Sequence, residues 1–186
     1  DFVGERLRHG VEVHLELTHM PHFAVGQARG KRQRAVHVDG NLGIERCQCG
    51  VPLLLVVHDA VRPFVTPDMV RRVVEAAARH GAAVVAIPMK DTVKQVGADG
   101  LIEKTVDRGQ LWLAQTPQAF RLARFQEAHR KADLDGFHGT DDVQLGERLG
   151  YPVAGVEGSG DNIKITRPED LAIGEAILAA RKNVNR

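Results

Sequence analysis

The chain reads as an α/β domain, a mostly parallel sheet covered by helices, and three observations carry that reading. Two nearly uncharged apolar runs, 51–57 and 82–88, are bounded by Gly50 and Gly81 and have the length and Val/Leu content of buried strands. Between them lies a stretch with apolar residues at helical spacing, 67–80. Strand-like and helix-like segments then keep alternating toward the C-terminus, the pattern of a layered α/β domain.

Taken in order, residues 53–57 form the first strand of this pattern. The helix over 67–80 has Thr66 as a natural N-cap, Pro67 in the first turn and Gly81 as its stop. Met69, Val70, Val73, Val74 and Ala77 make its inner stripe, and Arg71, Arg72, Glu75 and Arg79 its outer face. Residues 82–88 are the next strand, so this unit is expected to be a right-handed parallel crossover. Residues 92–96 and 101–106 alternate on either side of Gly97-Ala98-Asp99-Gly100, which predicts a β-hairpin. Both its faces are polar, so the segment 90–115 is expected to project as an arm or to be a plain exposed hairpin. Trp112 is expected to pack at its base, and Gln115-Thr116-Pro117-Gln118 to form a turn. Helices are expected over 122–132 and over 141–149, the latter capped by Thr140 and ended by Gly150. A short strand at 152–157 precedes a closing helix over 168–181, capped by Thr166 or Arg167, with Leu171, Ala172, Ile173, Ala176, Ile177 and Leu178 facing inward.

The 186 residues suit one domain of ordinary size. With 43% hydrophobic and 26% charged residues the composition is globular. A net charge of +1 gives no strong pull toward nucleic acid or a membrane surface. No apolar run is long enough to span a bilayer and no signal-peptide pattern opens the chain, so the cytoplasm is the expected location. The two cysteines, Cys47 and Cys49, are too close together for an ordinary disulfide.

The chemistry concentrates at the end of the first buried strand, in His58-Asp59-Ala60-Val61-Arg62-Pro63-Phe64. The C-terminal ends of strands are where open α/β sheets bind ligands. Asp59 and Arg62 can present one anion and one cation to a charged ligand there, or form a surface salt bridge. Pro63 forces Arg62 out of helix and ends the strand. Alternation points His58 to the side opposite Asp59, and we read it as structural. Further on come Asp91-Thr92-Val93-Lys94, Thr105-Val106-Asp107-Arg108, the segment 111–120, Thr140-Asp141-Asp142 and Gly158-Ser159-Gly160-Asp161-Asn162-Ile163-Lys164-Ile165-Thr166.

In this order, these segments resemble the 2-C-methyl-D-erythritol 4-phosphate cytidylyltransferase family, from about residue 53 to 178. The resemblance implies a Rossmann-like nucleotidyltransferase fold. It implies transfer of CMP from CTP to a sugar-alcohol phosphate, with Mg²⁺ as cofactor and a homodimer formed through the arm. Asp59 and Lys164 are implied as catalytic residues, with Asp59, Ala60 and Lys164 at the nucleotide and Asp59 at the metal. Arg62, Thr92, Arg108, Thr116 and Thr140 are implied at the substrate, Thr92 and Arg108 reaching the partner subunit's substrate phosphate. Ribitol-5-phosphate cytidylyltransferases share the HD-x-x-RPF segment and are the enzyme alternative. A non-catalytic dimeric remnant of the family is the alternative of another class.

Residues 1–50 depart from the family's pattern. Its members open with a strand and a Gly-rich loop resembling A-A-G-x-G-x-R-M, whose backbone N–H groups hold the triphosphate. No such loop occurs in this sequence. Arg32-Gln33-Arg34-Ala35-Val36 resembles the family's R-Q-x-S-V segment, with Ala35 in place of serine. Counted back from it, about one βα unit is expected to be missing. The segment 1–50 is read either as truncated or frame-disturbed or as divergent, and 51–186 as the nucleotidyltransferase domain. His14, His19, His22, Cys47 and Cys49 match no familiar zinc spacing.

Overall fold

A computed structural model describes residues 13–18, as backbone, and 53–184. The segment 32–36 and the side chains of His14, His19, His22, Cys47 and Cys49 lie outside the described residues. The main sheet has five strands in the order β1-β2-β6-β3-β7. They are β1 (Val13–Thr18), β2 (Leu54–Asp59), β3 (Ala82–Pro88), β6 (Trp112–Arg121) and β7 (Ala154–Glu157). A separate two-stranded sheet pairs β4 (Val93–Val96) with β5 (Ile102–Val106). The helices are α1 (Pro67–His80), α2 (Leu122–Leu134), α3 (Asp142–Arg148) and α4 (Pro168–Val184). In the main sheet, β1 and β7 run parallel to their neighbours β2 and β3, while β6 runs antiparallel to both β2 and β3. Four strands therefore share one direction, and the sheet is mixed.

β2, α1 and β3 form where local signals place them. Thr66 accepts a hydrogen bond from the Met69 N–H at 3.3 Å, and Gly81 leaves the helix at φ 100°, a conformation that favours glycine. Alternation along β2 divides its side chains between two layers. Leu54 and Val56 pack with Val73, Val74 and Ala77 of α1, while Leu55 and Val57 pack with Phe120 and Val143 on the side of α2 and α3. Each fully buried Val or Leu contributes about 1.5–3 kcal/mol, so these two layers hold the sheet that carries the strand-end motif.

Four expectations need correction. First, β2 and β3 are parallel but not adjacent, because β6 lies between them, and Gln115-Thr116-Pro117-Gln118 is part of that strand rather than a turn. The ladder with β3 shifts register between Val84 and Ala86, opposite this stretch, and the Thr116–Pro117 peptide is cis. The irregularity accommodates a proline, which has no N–H to donate to a central ladder. Second, Asp141, not Thr140, caps α3, accepting from the Gln144 N–H at 3.0 Å. A carboxylate at that position also favours the positive helix end. Third, α4 leaves Leu171, Ile173 and Leu178 about half exposed. It is Gly174 that meets Phe64 and Ile165, because a residue without a side chain lets the helix approach the Phe64 ring. Its first turn is held by Asp170, which accepts from the Thr166 and Arg167 N–H groups. Those bonds hold the Asp170 carboxyl below the usual carboxylate range. Fourth, Trp112 is exposed at the start of β6, opposite Pro88, rather than packed at the base of the hairpin.

The structure also adds β1, in the segment read as truncated, frame-disturbed or divergent. Val13–Thr18 pairs with β2 along its whole length.

Candidate functional site

The strand-end motif opens into a cleft of about 650 Å³ between the sheet and the α2–α3 layer. Asp59 ends β2 with its side chain only 13% exposed. Its Oδ2 lies 3.1 Å from Lys164 Nζ and 3.4 Å from Arg62 Nε. One carboxylate thus sits between two cations supplied by a tight turn and by a loop about 100 residues later. The turn is closed by the Arg62 N–H donating to the Asp59 carbonyl at 2.9 Å. The loop is clipped to it where the Ile165 N–H donates to the Val61 carbonyl at 2.8 Å.

Arg62 is held further by its Nη1, which donates to the Asn162 carbonyl at 2.8 Å. Asn162 is fully buried and its Nδ2 donates to the Thr116 carbonyl at 2.9 Å and to Gln115 Oε1 at 3.3 Å. Gln115 Nε2 in turn donates to the Ser159 carbonyl at 3.0 Å. The Gln115 side chain and the Thr116 carbonyl of β6 therefore hold the 158–165 loop against the end of β2, and Lys164 reaches Asp59 from that loop. On the far wall Gln118 donates to Asp141 at 3.1 Å and accepts from the Val143 N–H at 3.3 Å, joining β6 to the start of α3.

Of the residues predicted from sequence, Asp59, Arg62, Thr116, Thr140 and Lys164 all line this one cleft. The Thr116 hydroxyl is already engaged, accepting from the Asp59 N–H at 3.0 Å and meeting His58 Nδ1 at 2.9 Å. Thr140 is exposed at the rim, its backbone N–H donating to Gln144 Oε1 at 2.7 Å. Ala60 is exposed on the turn beside Asp59, outside the lining. Thr92 and Arg108 do not join the cleft: they lie exposed beside the hairpin strands, and the Arg108 guanidinium donates to the Lys90 carbonyl. The burial of His58 pushes its imidazole below the usual histidine range, so the ring is neutral at pH 7. Sequence reasoning gives no role to Asn162, Gln115 or Gln118. Polar residues at Gln115, Thr116 and Gln118 among apolar neighbours are the available signal, and Pro117 hides the strand that explains them.

Comparison with known proteins identifies a family for most of the chain. The family model described as 2-C-methyl-D-erythritol 4-phosphate cytidylyltransferase matches residues 27–180. The chain belongs to this family. A family protein from Syntrophus aciditrophicus is 50% identical over 153 residues, which cover 82% of this chain and 64% of that protein. One from Pelotomaculum thermopropionicum is 51% identical over 129 residues, covering 69% of this chain and 54% of that one. The crystal structure of the Thermus thermophilus family member superposes with a TM-score of 0.62 at 45% identity, over 68% of this chain and 62% of that one. The Francisella tularensis member does so with a TM-score of 0.64 at 32% identity, over 73% and 63%. The chain thus spans between about half and two thirds of the length of these relatives.

Proposed function

We propose that the protein is a cytidylyltransferase that transfers CMP from CTP to 2-C-methyl-D-erythritol 4-phosphate and releases pyrophosphate, in isoprenoid biosynthesis. The observation that carries this reading is the Asp59 carboxylate set between Arg62 and Lys164 in a cleft that also holds Thr116 and Thr140. A phosphate oxygen of the sugar alcohol forms a bond to the α-phosphorus of CTP. The bond from that phosphorus to the β-bridging oxygen breaks, and its electron pair leaves with pyrophosphate. A phosphate dianion needs no strong base, so the protein's work is to align two anions and offset their charge.

In this reading Arg62 takes the sugar phosphate, for which its planar fork suits two oxygens, and Lys164 serves the nucleotide phosphates as a compact charge. Asp59 orients both cations, and the Ala60 backbone borders the nucleotide. With its hydroxyl engaged, Thr116 contributes placement of Asp59, while Thr140 borders the sugar. Among the described residues Asp59 is the one carboxylate paired with the two cations, which fits Mg²⁺ held mainly by phosphate oxygens rather than by a protein cage. Bound there, Mg²⁺ would neutralise charge on the triphosphate. The phosphorylated substrates are too polar to cross a bilayer, and the cytoplasm is part of this reading. Among the described residues no helix is long and apolar enough to cross a membrane.

The test is pyrophosphate release with CTP and Mg²⁺, methylerythritol phosphate and ribitol 5-phosphate competing as acceptors. The 186-residue chain is expected to turn over slowly. Adding the family's Gly-rich loop is expected to raise the rate by about 10² or more, the scale for one preorganised electrostatic element. No turnover in the loop-bearing chain would leave the non-catalytic reading, and a preference for ribitol 5-phosphate would reassign the acceptor.

The same reading makes the protein a homodimer through the hairpin, with Thr92 and Arg108 serving the partner subunit's cleft. Support comes from Val96, Leu101 and Ile102, which are 54%, 69% and 63% exposed on a hairpin paired with no strand of the main sheet. Deleting 93–106 and joining the ends is expected to give a monomer in sedimentation, and a wild-type chain that is monomeric at micromolar concentration would overturn the arm's role.

A further inference from the structure

His58 is the buried titratable group that the proposed reaction leaves without a task. Its Nδ1 lies 2.9 Å from Thr116 Oγ1 and its Nε2 lies 3.1 Å from the Arg62 carbonyl oxygen. For a neutral ring the proton inventory of this corner has one consistent solution. A carbonyl oxygen can only accept, so Nε2 must carry the hydrogen. In a neutral ring Nδ1 is then an acceptor, and the single Thr116 hydroxyl proton points to it. Thr116 Oγ1 remains free to accept, and the Asp59 N–H donates to it at 3.0 Å. The other neutral tautomer would turn a nitrogen lone pair onto the Arg62 carbonyl and leave a part-buried acceptor without a donor.

These bonds close a ring through four residues of three chain segments. His58 holds the Arg62 carbonyl, Arg62 Nη1 holds the Asn162 carbonyl, Asn162 Nδ2 holds the Thr116 carbonyl, and Thr116 Oγ1 returns to His58. Arg62 is thereby fixed at both its backbone and its guanidinium, while a carboxylate sits beside its Nε.

We propose that His58 is a positioning residue, which holds Arg62 at the cleft by donating from Nε2 to the Arg62 carbonyl while Thr116 locks the other ring nitrogen. This rests on the reading of Arg62 as a phosphate-binding residue. The consequence is specific: a side chain that keeps only the donor toward Arg62 keeps Arg62 in place, and one that keeps only the acceptor toward Thr116 does not. His58→Gln places an amide N–H near the position of Nε2, and His58→Asn places an amide oxygen near the position of Nδ1.

The test is made on the 186-residue chain by NMR, with inorganic phosphate as the probe. Long-range proton–nitrogen correlation of the wild-type imidazole is expected to show the Nε2–H tautomer. Exchange of the Arg62 Nε–H with water is expected to stay slow in His58→Gln and to become about tenfold faster in His58→Asn, the scale of one lost hydrogen bond. Phosphate affinity, followed at the same Arg62 signal, is expected to stay within about twofold in the Gln variant and to fall about tenfold in the Asn variant. An Nδ1–H tautomer overturns the inference, as do equal exchange rates in the two variants. The tautomer is read in the wild-type chain, so it decides the matter even if a variant fails to fold. If wild type binds no phosphate, the functional reading of Arg62 falls, while tautomer and exchange still decide whether His58 positions it.

Discussion

Asn162→Ala is expected to lower the stability of the chain by about 2–4 kcal/mol, at the upper end for a single side chain. Asn162 is completely buried, and its Nδ2 supplies the hydrogen bonds to the Thr116 carbonyl and to Gln115 Oε1. Alanine would leave both acceptors without this donor, and a buried unpaired polar group costs about 1–3 kcal/mol. One effect runs the other way: Asn162 Oδ1 has no partner among the described residues, so removing it relieves one unpaired acceptor. Two orphans against one relieved leaves a net loss. Thermal unfolding should show a fall of about 5–15 °C. Asp161→Ala, at the exposed neighbouring position, is expected to stay within about 0.5 kcal/mol. A loss below about 1 kcal/mol for Asn162→Ala would mean that the loop is held by its backbone bonds alone.

The same corner shows where sequence is informative about this protein and where it is not. The β2–α1–β3 unit is legible because its inner boundaries have their own local causes: the Thr66 cap, Pro67, Gly81 in its left-handed conformation. β6 is not, because its polar residues and its proline read locally as a turn. Only tertiary partners make Gln115, Thr116 and Gln118 acceptable in a central strand, and those partners lie as much as 58 positions away in the chain. The cap of α3 falls one residue from its expected place because Thr140 and Asp141 are both competent caps and local sequence does not rank them. α4 is apolar nearly all round, so its sequence does not say which row of residues packs, and the row is chosen by Gly174 against Phe64. Asp59 and Arg62 are legible from a strand end, a three-residue spacing and a proline. Resemblance puts Lys164 at the same site, but that it shares their carboxylate is seen only in the structure, since nothing local predicts that a loop about 100 residues on folds back there.

That shared carboxylate makes opposite predictions for its two kinds of partner, and they are best compared in a chain that carries the family's Gly-rich loop. The cluster of Asp59, Arg62 and Lys164 has two cations and one anion. Lys164→Gln removes one cation, so CTP binding is expected to weaken about tenfold or more, with turnover falling about 10²–10³. Asp59→Asn leaves both cations, so an anion should bind at least as tightly as in wild type. If Asp59 acts by orienting them, turnover should nonetheless fall by about 10²–10³, because charge without placement does not stabilise a transition state. The two variants therefore share a loss in kcat and separate in Kd. Calorimetry with CTP in the absence of Mg²⁺ measures the binding, and pyrophosphate release with Mg²⁺ measures the rate. Equal weakening of CTP binding by both variants would show that Asp59 helps hold the nucleotide as much as Lys164 does. Normal turnover in Asp59→Asn would remove the carboxylate from the reaction and leave it a strand-end ion pair.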